Sequence, residues 1–257
     1  MKYLVICLSS FLASGLTLFS GFGLGTILMP VLAMFFPVSS AIALSAVVHL
    51  CNNLFKLALL GRHADKTVIY KFGIPAILAA YLGAQALLWL SHLHPLLTYQ
   101  LLGRSLQVMP LKLVVALLMV GFALMEVAPR LSHLSFDRKY LPLGGVLSGF
   151  FGGLSGHQGA LRGAFLVRCG LSPESFIGTG VVIACLVDFS RLLVYRGSFL
   201  TESVAGERWL LMATILAAFS GAFLGNRLLK KVTMRFIQAL VALMLLGIAL
   251  ALGMGLI

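Results

Sequence analysis

Acidic side chains are scarce in this 257-residue chain, with 7 Asp and Glu against 19 Lys and Arg and a formal charge of +12. Charged residues of both signs make up only 10% of it, too few to cover the surface of a soluble domain. The basic residues are scattered through loops and helix ends, with no long basic run and no recognition motif. Nucleic acid is therefore excluded as a partner, and membrane topology explains the charge. Cysteine is sparse as well. Cys7, Cys51, Cys169 and Cys185 lie in apolar surroundings without CxxC spacing, so they read as small hydrophobes and imply neither a zinc site nor a disulfide framework. A nucleophile with its base, a cluster of metal ligands and a docking domain are all missing, which argues against an enzyme and against a bound cofactor.

What the chain has in abundance is apolar length. It is 60% hydrophobic, with a mean hydropathy of +1.06. The apolar residues come in blocks at 3–36, 38–60, 70–90, 108–128, 141–168, 173–195, 209–229 and 235–257. Each is about long enough to cross a ~30 Å hydrocarbon core at ~1.5 Å per residue, and the alternation of a barrel strand is absent. The expected fold is an all-α integral membrane protein. The start, MKYLVICLSSFLASG, has the charge and apolar run of a signal peptide, but an internal repeat makes it part of the fold.

That repeat is the strongest organisational signal. Ile77–Ala84, ILAAYLGA, matches Ile215–Ala222, ILAAFSGA, at six of eight positions, and Leu113–Leu124 matches Ala239–Leu250 at six of twelve. The offsets, 138 and 126 residues, are near half the chain length. Residues 1–128 and 141–257 are thus expected to form two membrane repeats joined by a cytoplasmic loop at 129–140. An offset of 135 sets Ser20 and Gly21 against Ser155 and Gly156, Asn53 against Asp188, and Lys56 against Arg191.

Loop charge orients the halves. Arg62, Lys66 and Lys71, then Arg130, Arg138 and Lys139, then Arg227, Lys230, Lys231 and Arg235 mark three cytoplasmic loops. The 91–107 loop carries only Arg104, and in 196–208 two arginines are offset by Glu202 and Glu207, so both should face outward. Segment 38–60 then runs inward and its mate 173–195 outward, which makes the repeats inverted. Each would hold a glycine-broken re-entrant segment plus three transmembrane helices, the pattern of secondary transporters.

The breaks fall at SGFGLG and SGHQG, with Ser20, Gly21, Gly23 and Gly25 in the first and Gly156, His157, Gln158 and Gly159 in the second. Glycine lets the backbone turn inside the membrane, tolerated only where freed polar groups are buried in protein or line a wet cavity. Half-helix N-termini there suit an anion's oxygens, and His157 and Arg162 add charge. The competing explanation is close packing by glycine with Arg162 snorkelling to the inner surface.

A second constellation combines Asn52, Asn53 and Lys56 with Asp188 and Arg191. Asn53 and Asp188 lie about 22 Å along their helices, inside the hydrocarbon, where ionisable residues are functional candidates. Asp188 and Arg191, at i and i+3, either neutralise each other as a structural pair or act in substrate binding and coupling, with Asp188 the coupling candidate. His49 reads as the weaker candidate, a hydrogen-bonded packing residue, and Glu126 as a solvated helix end.

The strings SGFGLGTILMPVLAMFFPVSSAIALSAVVHLCNNLFKL and GVLSGFFGGLSGHQGALRGAFLVRCGLSPESFIGTGVVIACLVDFSRL resemble the sulfite exporter TauE/SafE family of bacterial membrane permeases. The likeness covers essentially the whole chain and is carried by a glycine-broken segment followed by a proline-led helix, occurring twice. It implies export of a small sulfur-containing or related organic anion, of the sulfite or sulfonate class, across the bacterial inner membrane. The expected partners are that anion and the lipid bilayer, with a homodimer left open. Alternating access would expose to each side in turn a site built from Ser20, Gly21, Gly23, Asn52, Asn53, Lys56, Gly156, His157, Gln158, Gly159, Arg162 and Arg191. A transition-metal permease and a non-transporting assembly factor are the other readings. His49 and Cys51 are close in sequence but form no ligand cluster, and the basic bias disfavours cations.

Overall fold

The computed structural model describes residues 1–20, 24–101, 103–127, 135–198, 200–228 and 234–257. Its long elements are helices: α1 (Lys2–Ser20), α2 (Leu24–Ala33), α3 (Val38–Leu60), α4 (Lys66–Ser91), α5 (Pro110–Val127), α6 (Leu141–Ser155), α7 (Gly159–Leu166), α8 (Pro173–Arg196), a short α9 (Leu200–Gly206), α10 (Arg208–Leu228) and α11 (Met234–Gly253). Among the described residues α3, α4 and α8 are long and apolar enough to cross a membrane. Polarity is turned inside out. Large apolar side chains such as Leu78, Leu117, Leu216 and Leu243 are exposed, while Asn52, Gln158, Asp188 and Arg191 are buried.

Local chemistry sets several boundaries. Ser172 caps α8 by accepting from the Ser175 amide at 3.2 Å, and Pro173 follows, where its missing N–H costs nothing. Asp65 caps α4 at Val68 N, 2.8 Å. Helix α4 starts at Lys66, earlier than the apolar run at 70 implied, because a π turn at Ile69–Gly73 widens the helix just ahead of Pro75 and absorbs its clash with the preceding turn.

The 91–107 segment is more than a loop. Leu97–Leu101 (β1) pairs antiparallel with Arg104–Val108 (β2), and Gly103 turns between them at φ 77°. This hairpin lies against the chain's end, where Tyr99 Oη donates to the Met254 carbonyl at 2.6 Å.

Helix directions follow from the contacts. Gly145, Gly149 and Gly153, four residues apart on α6, press on the backbone of Phe72, Ala76 and Ala80 on α4, where no side chain fits. Both series ascend, so α4 and α6 run parallel. Helix α8 joins them: Thr179 Oγ1 accepts from Asp65 N at 2.8 Å, and Ser190 Oγ donates to Ile77 O at 2.9 Å. Helices α1 and α10 are parallel through Lys2–Glu207 at 2.6 Å, Ser10 Oγ to Thr214 O at 3.0 Å, and Gly221 against Phe11. Helix α3 runs with these two, since Ser40 meets Ser203 at 3.0 Å and Phe55 stacks on Phe219 at 5.0 Å.

Two further contacts tie segment ends together. Phe136 N donates to Ala164 O at 3.1 Å and Arg168 meets Asp137 at 3.4 Å, so the chain entering α6 lies beside the chain leaving α7. Likewise Lys2, at the start of α1, sits 4.8 Å over the ring of Phe36, just after α2.

Candidate functional site

The second break is built by Gly156, which ends α6 in the left-handed region at φ 83°, a conformation that favours glycine because it has no Cβ. A side chain there would also crowd the Arg191 guanidinium. Three residues on, α7 starts at Gly159 with its positive dipole end at the break. The start of α2 meets this break: Gly25, the second residue of α2, packs against the carbonyl of Gly156 and the hydroxyl of Ser45.

Around this meeting point α3 and α8 place a buried polar network. Asp188 is its hub. One carboxylate oxygen, Oδ1, accepts from Arg191 Nε at 3.0 Å, Arg191 Nη2 at 2.7 Å and Gln158 Nε2 at 3.2 Å. The other, Oδ2, lies 2.6 Å from His49 Nδ1 and accepts from Asn53 Nδ2 at 3.4 Å. The third guanidinium nitrogen of Arg191 donates to Gly152 O at 3.2 Å, which engages every nitrogen of that side chain. Nearby, the Tyr195 hydroxyl donates to Gly153 O.

Gln158 links this hub to a second cation. Its Oε1 accepts from Arg162 Nη1 at 3.1 Å, and its backbone carbonyl accepts from Ser148 Oγ at 2.9 Å. Arg162 and Lys56 act on each other electrostatically. Lys56 is 6% exposed and forms no hydrogen bond or ion pair among the described residues. Two like charges thus share one region, and the carboxylate that acts on Arg162, Asp188, is already held by Arg191.

Among the described residues three buried polar atoms have no partner: Ser45 Oγ, Asn52 Nδ2 and His157 Nε2. Asn52 Oδ1 accepts from Ser14 Oγ at 3.0 Å, and His157 stacks on Phe122 with centroids 5.3 Å apart. Among the described residues no three His, Cys, Asp or Glu side chains come together as metal ligands.

Of the residues singled out in the sequence, Asn53, Gln158, Arg162, Asp188 and Arg191 form one connected network, with Asn52, Lys56, Gly156, His157 and Gly159 beside it. Gly21 and Gly23 lie outside the described residues, as does the side chain of Ser20. Asp188 and Arg191 pair as their i, i+3 spacing implied. His49, ranked lower as a packing residue, is instead a direct partner of Asp188. The signal for it was legible: Ser45, His49, Asn52, Asn53 and Lys56 recur every three to four residues, a polar stripe down an apolar helix. Ser45 and Tyr195 also escaped the sequence reading.

A family model described as Sulfite exporter TauE/SafE matches residues 6–252. Neither the curated proteins nor the solved structures compared with the chain give a match. With nearly its whole length inside that model, the chain belongs to the sulfite exporter TauE/SafE family and is a multi-pass membrane transport protein.

Proposed function

We propose that this protein exports a small sulfur-containing or related organic anion, of the sulfite or sulfonate class, across a bacterial inner membrane by alternating access. The observation that carries the reading is the pair Lys56, buried and unpaired among the described residues, and half-buried Arg162, beside a helix break where the carboxylate of Asp188 is already held by Arg191. Uncompensated charge is costly in hydrocarbon, and an oxyanion supplies the missing partner. The same charges repel a metal cation, which counts against a metal permease.

The unspent donors suit the task. Lys56, the remaining N–H groups of Arg162, Asn52 Nδ2, and the positive end of α7 surround the break, and fixed donors bind an oxyanion better than mobile water does. Arg191, each of whose nitrogens is engaged by Asp188 or Gly152, orients the hub. Asp188 serves either as that scaffold or in coupling.

Alternating access draws support from the packing. Helix α1 lies on α10, and α6 lies on α4, the mate of α10; Gly221 and Gly83, equivalent in the repeat, both meet backbone, at Phe11 and Phe150. With α3 and α8 opposed in direction, residues 1–128 and 141–257 read as inverted repeats. The tied ends at Phe136–Ala164 and Lys2–Phe36 then make each broken segment a re-entrant hairpin, entering from opposite sides. Rocking of one repeat on the other would open the meeting point to either face. A membrane potential, negative inside, favours exit of an anion crossing without a proton by about 2.3 kcal/mol per charge at 100 mV. Each proton carried along removes one charge from that drive.

The test is uptake of radiolabelled sulfite, sulfate and methanesulfonate, against divalent metal ions, into proteoliposomes. Anion uptake that falls in Lys56→Gln supports the reading; metal uptake without anion uptake overturns it.

A further inference from the structure

The geometry points to His49 as a proton-binding site that couples protons to the anion. The inference rests on the anion-site reading above and assigns it a coupling ion.

A buried carboxylate and an imidazole 2.6 Å apart must share a hydrogen, and Asp188 is already held as a carboxylate by Arg191 and Gln158 on its other oxygen. The hydrogen therefore sits on His49 Nδ1. That fixes the tautomer and leaves the Nε2 lone pair as the basic atom. Asn53 Nδ2 approaches the protonated Nδ1 at 3.1 Å, a donor beside a donor and no hydrogen bond, and lies 3.4 Å from Nε2, within reach to donate to the lone pair of the neutral ring. A second proton, on Nε2, turns that contact into donor against donor. The Asn53 amide must then rotate to present its oxygen, giving up its hydrogen bond to Asp188. The ring, now positive, remains paired with the carboxylate.

The charged groups around His49 set the direction of coupling. On α3 itself Lys56 lies two turns further along. From α8 come Asp188, Arg191 and Cys185, and from the second broken segment Arg162 and His157; Asp188, Arg191 and Arg162 act directly on the ring. Helix α2 carries no charged residue, and the charges of α9 and the start of α10, Glu202 and Arg208, are exposed at the far end of the bundle. The region thus holds one carboxylate and three cations, Arg191 and Arg162 acting on Asp188 and Lys56 acting with Arg162. A proton on His49 adds a fourth positive charge and is opposed until an anion binds at Lys56 and Arg162. Anion and proton consequently bind together, each strengthening the other by the same factor.

The experiment is calorimetric titration of the purified full-length protein with sulfate and methanesulfonate, whose own charges stay constant between pH 5.5 and 8.5. Repeating it in buffers of different ionisation enthalpy counts the protons taken up. The expected result is uptake approaching one proton per anion, with affinity falling up to about tenfold per pH unit on the alkaline side. His49→Gln should flatten that dependence while the monodisperse protein still binds, and His157→Gln should keep it. No proton uptake by the unmodified protein overturns the inference whether or not the variants fold. Equal pH dependence in His49→Gln overturns it too. Failure of every anion to bind at any pH instead removes the anion site, and the coupling with it.

Discussion

Asn53 and Asp188, 135 residues apart, touch each other, with Asn53 Nδ2 donating to Asp188 Oδ2 at 3.4 Å. On the proposed repeat the contact joins equivalent places, one with an amide and the other with an acid. The difference gives the centre one carboxylate and lets a single side chain organise Arg191, Gln158 and His49 together.

If Asp188 serves chiefly to hold Arg191 and His49, Asp188→Asn leaves a buried guanidinium without its counter-ion. We expect a loss of about 3 kcal/mol or more, read as a lower yield of monodisperse protein. Adding Arg191→Gln should restore most of it. A double variant no better folded than the single one would show that the carboxylate does more than balance Arg191.

Among the described residues the Arg162 side chain has one hydrogen bond, to Gln158 Oε1, and shares its region with Lys56. Arg162→Ala should cut anion uptake by roughly tenfold or more, the scale of one charge-assisted hydrogen bond, with less effect on folded protein. Arg162→Lys should keep part of the activity by keeping the charge without the planar fork. Undiminished uptake in Arg162→Ala would assign the side chain to snorkelling.

At Gly153 a Cβ would collide with the backbone of Ala80, and Gly221 meets Phe11 in the same way. Gly153→Val and Gly221→Val should each destabilise the protein by about 1–3 kcal/mol, seen as lower melting temperatures in detergent. A tolerated change at either glycine would mean the paired helices can separate without loss.

Orientation can be read by labelling in whole cells, after the native cysteines are replaced. His63→Cys and Lys231→Cys should be shielded from an impermeant thiol reagent, while Glu202→Cys should react. Equal labelling at all three sites would contradict the opposed repeats.

The sequence by itself determined the membrane class, most helix positions and the place of the break at Gly156. Segments 38–60 and 173–195 recur as Val38–Leu60 and Pro173–Arg196, because apolar length and proline or glycine at the ends act locally. The i, i+3 pair of Asp188 and Arg191 was legible for the same reason. The start of α4 was not, since the π turn ahead of Pro75 is an adjustment between neighbouring turns that hydropathy does not register. Nor was the role of His49. A lone histidine on an apolar helix carries no mark of its partner, and only the packing of α3 on α8 brings Asp188 to within 2.6 Å of it. The meeting of Gly25 with Gly156 and the isolation of Lys56 beside Arg162 were likewise decided by tertiary structure. Periodicity tells which face of each helix is polar, but burial and the demand that buried polar groups find partners determine which faces meet.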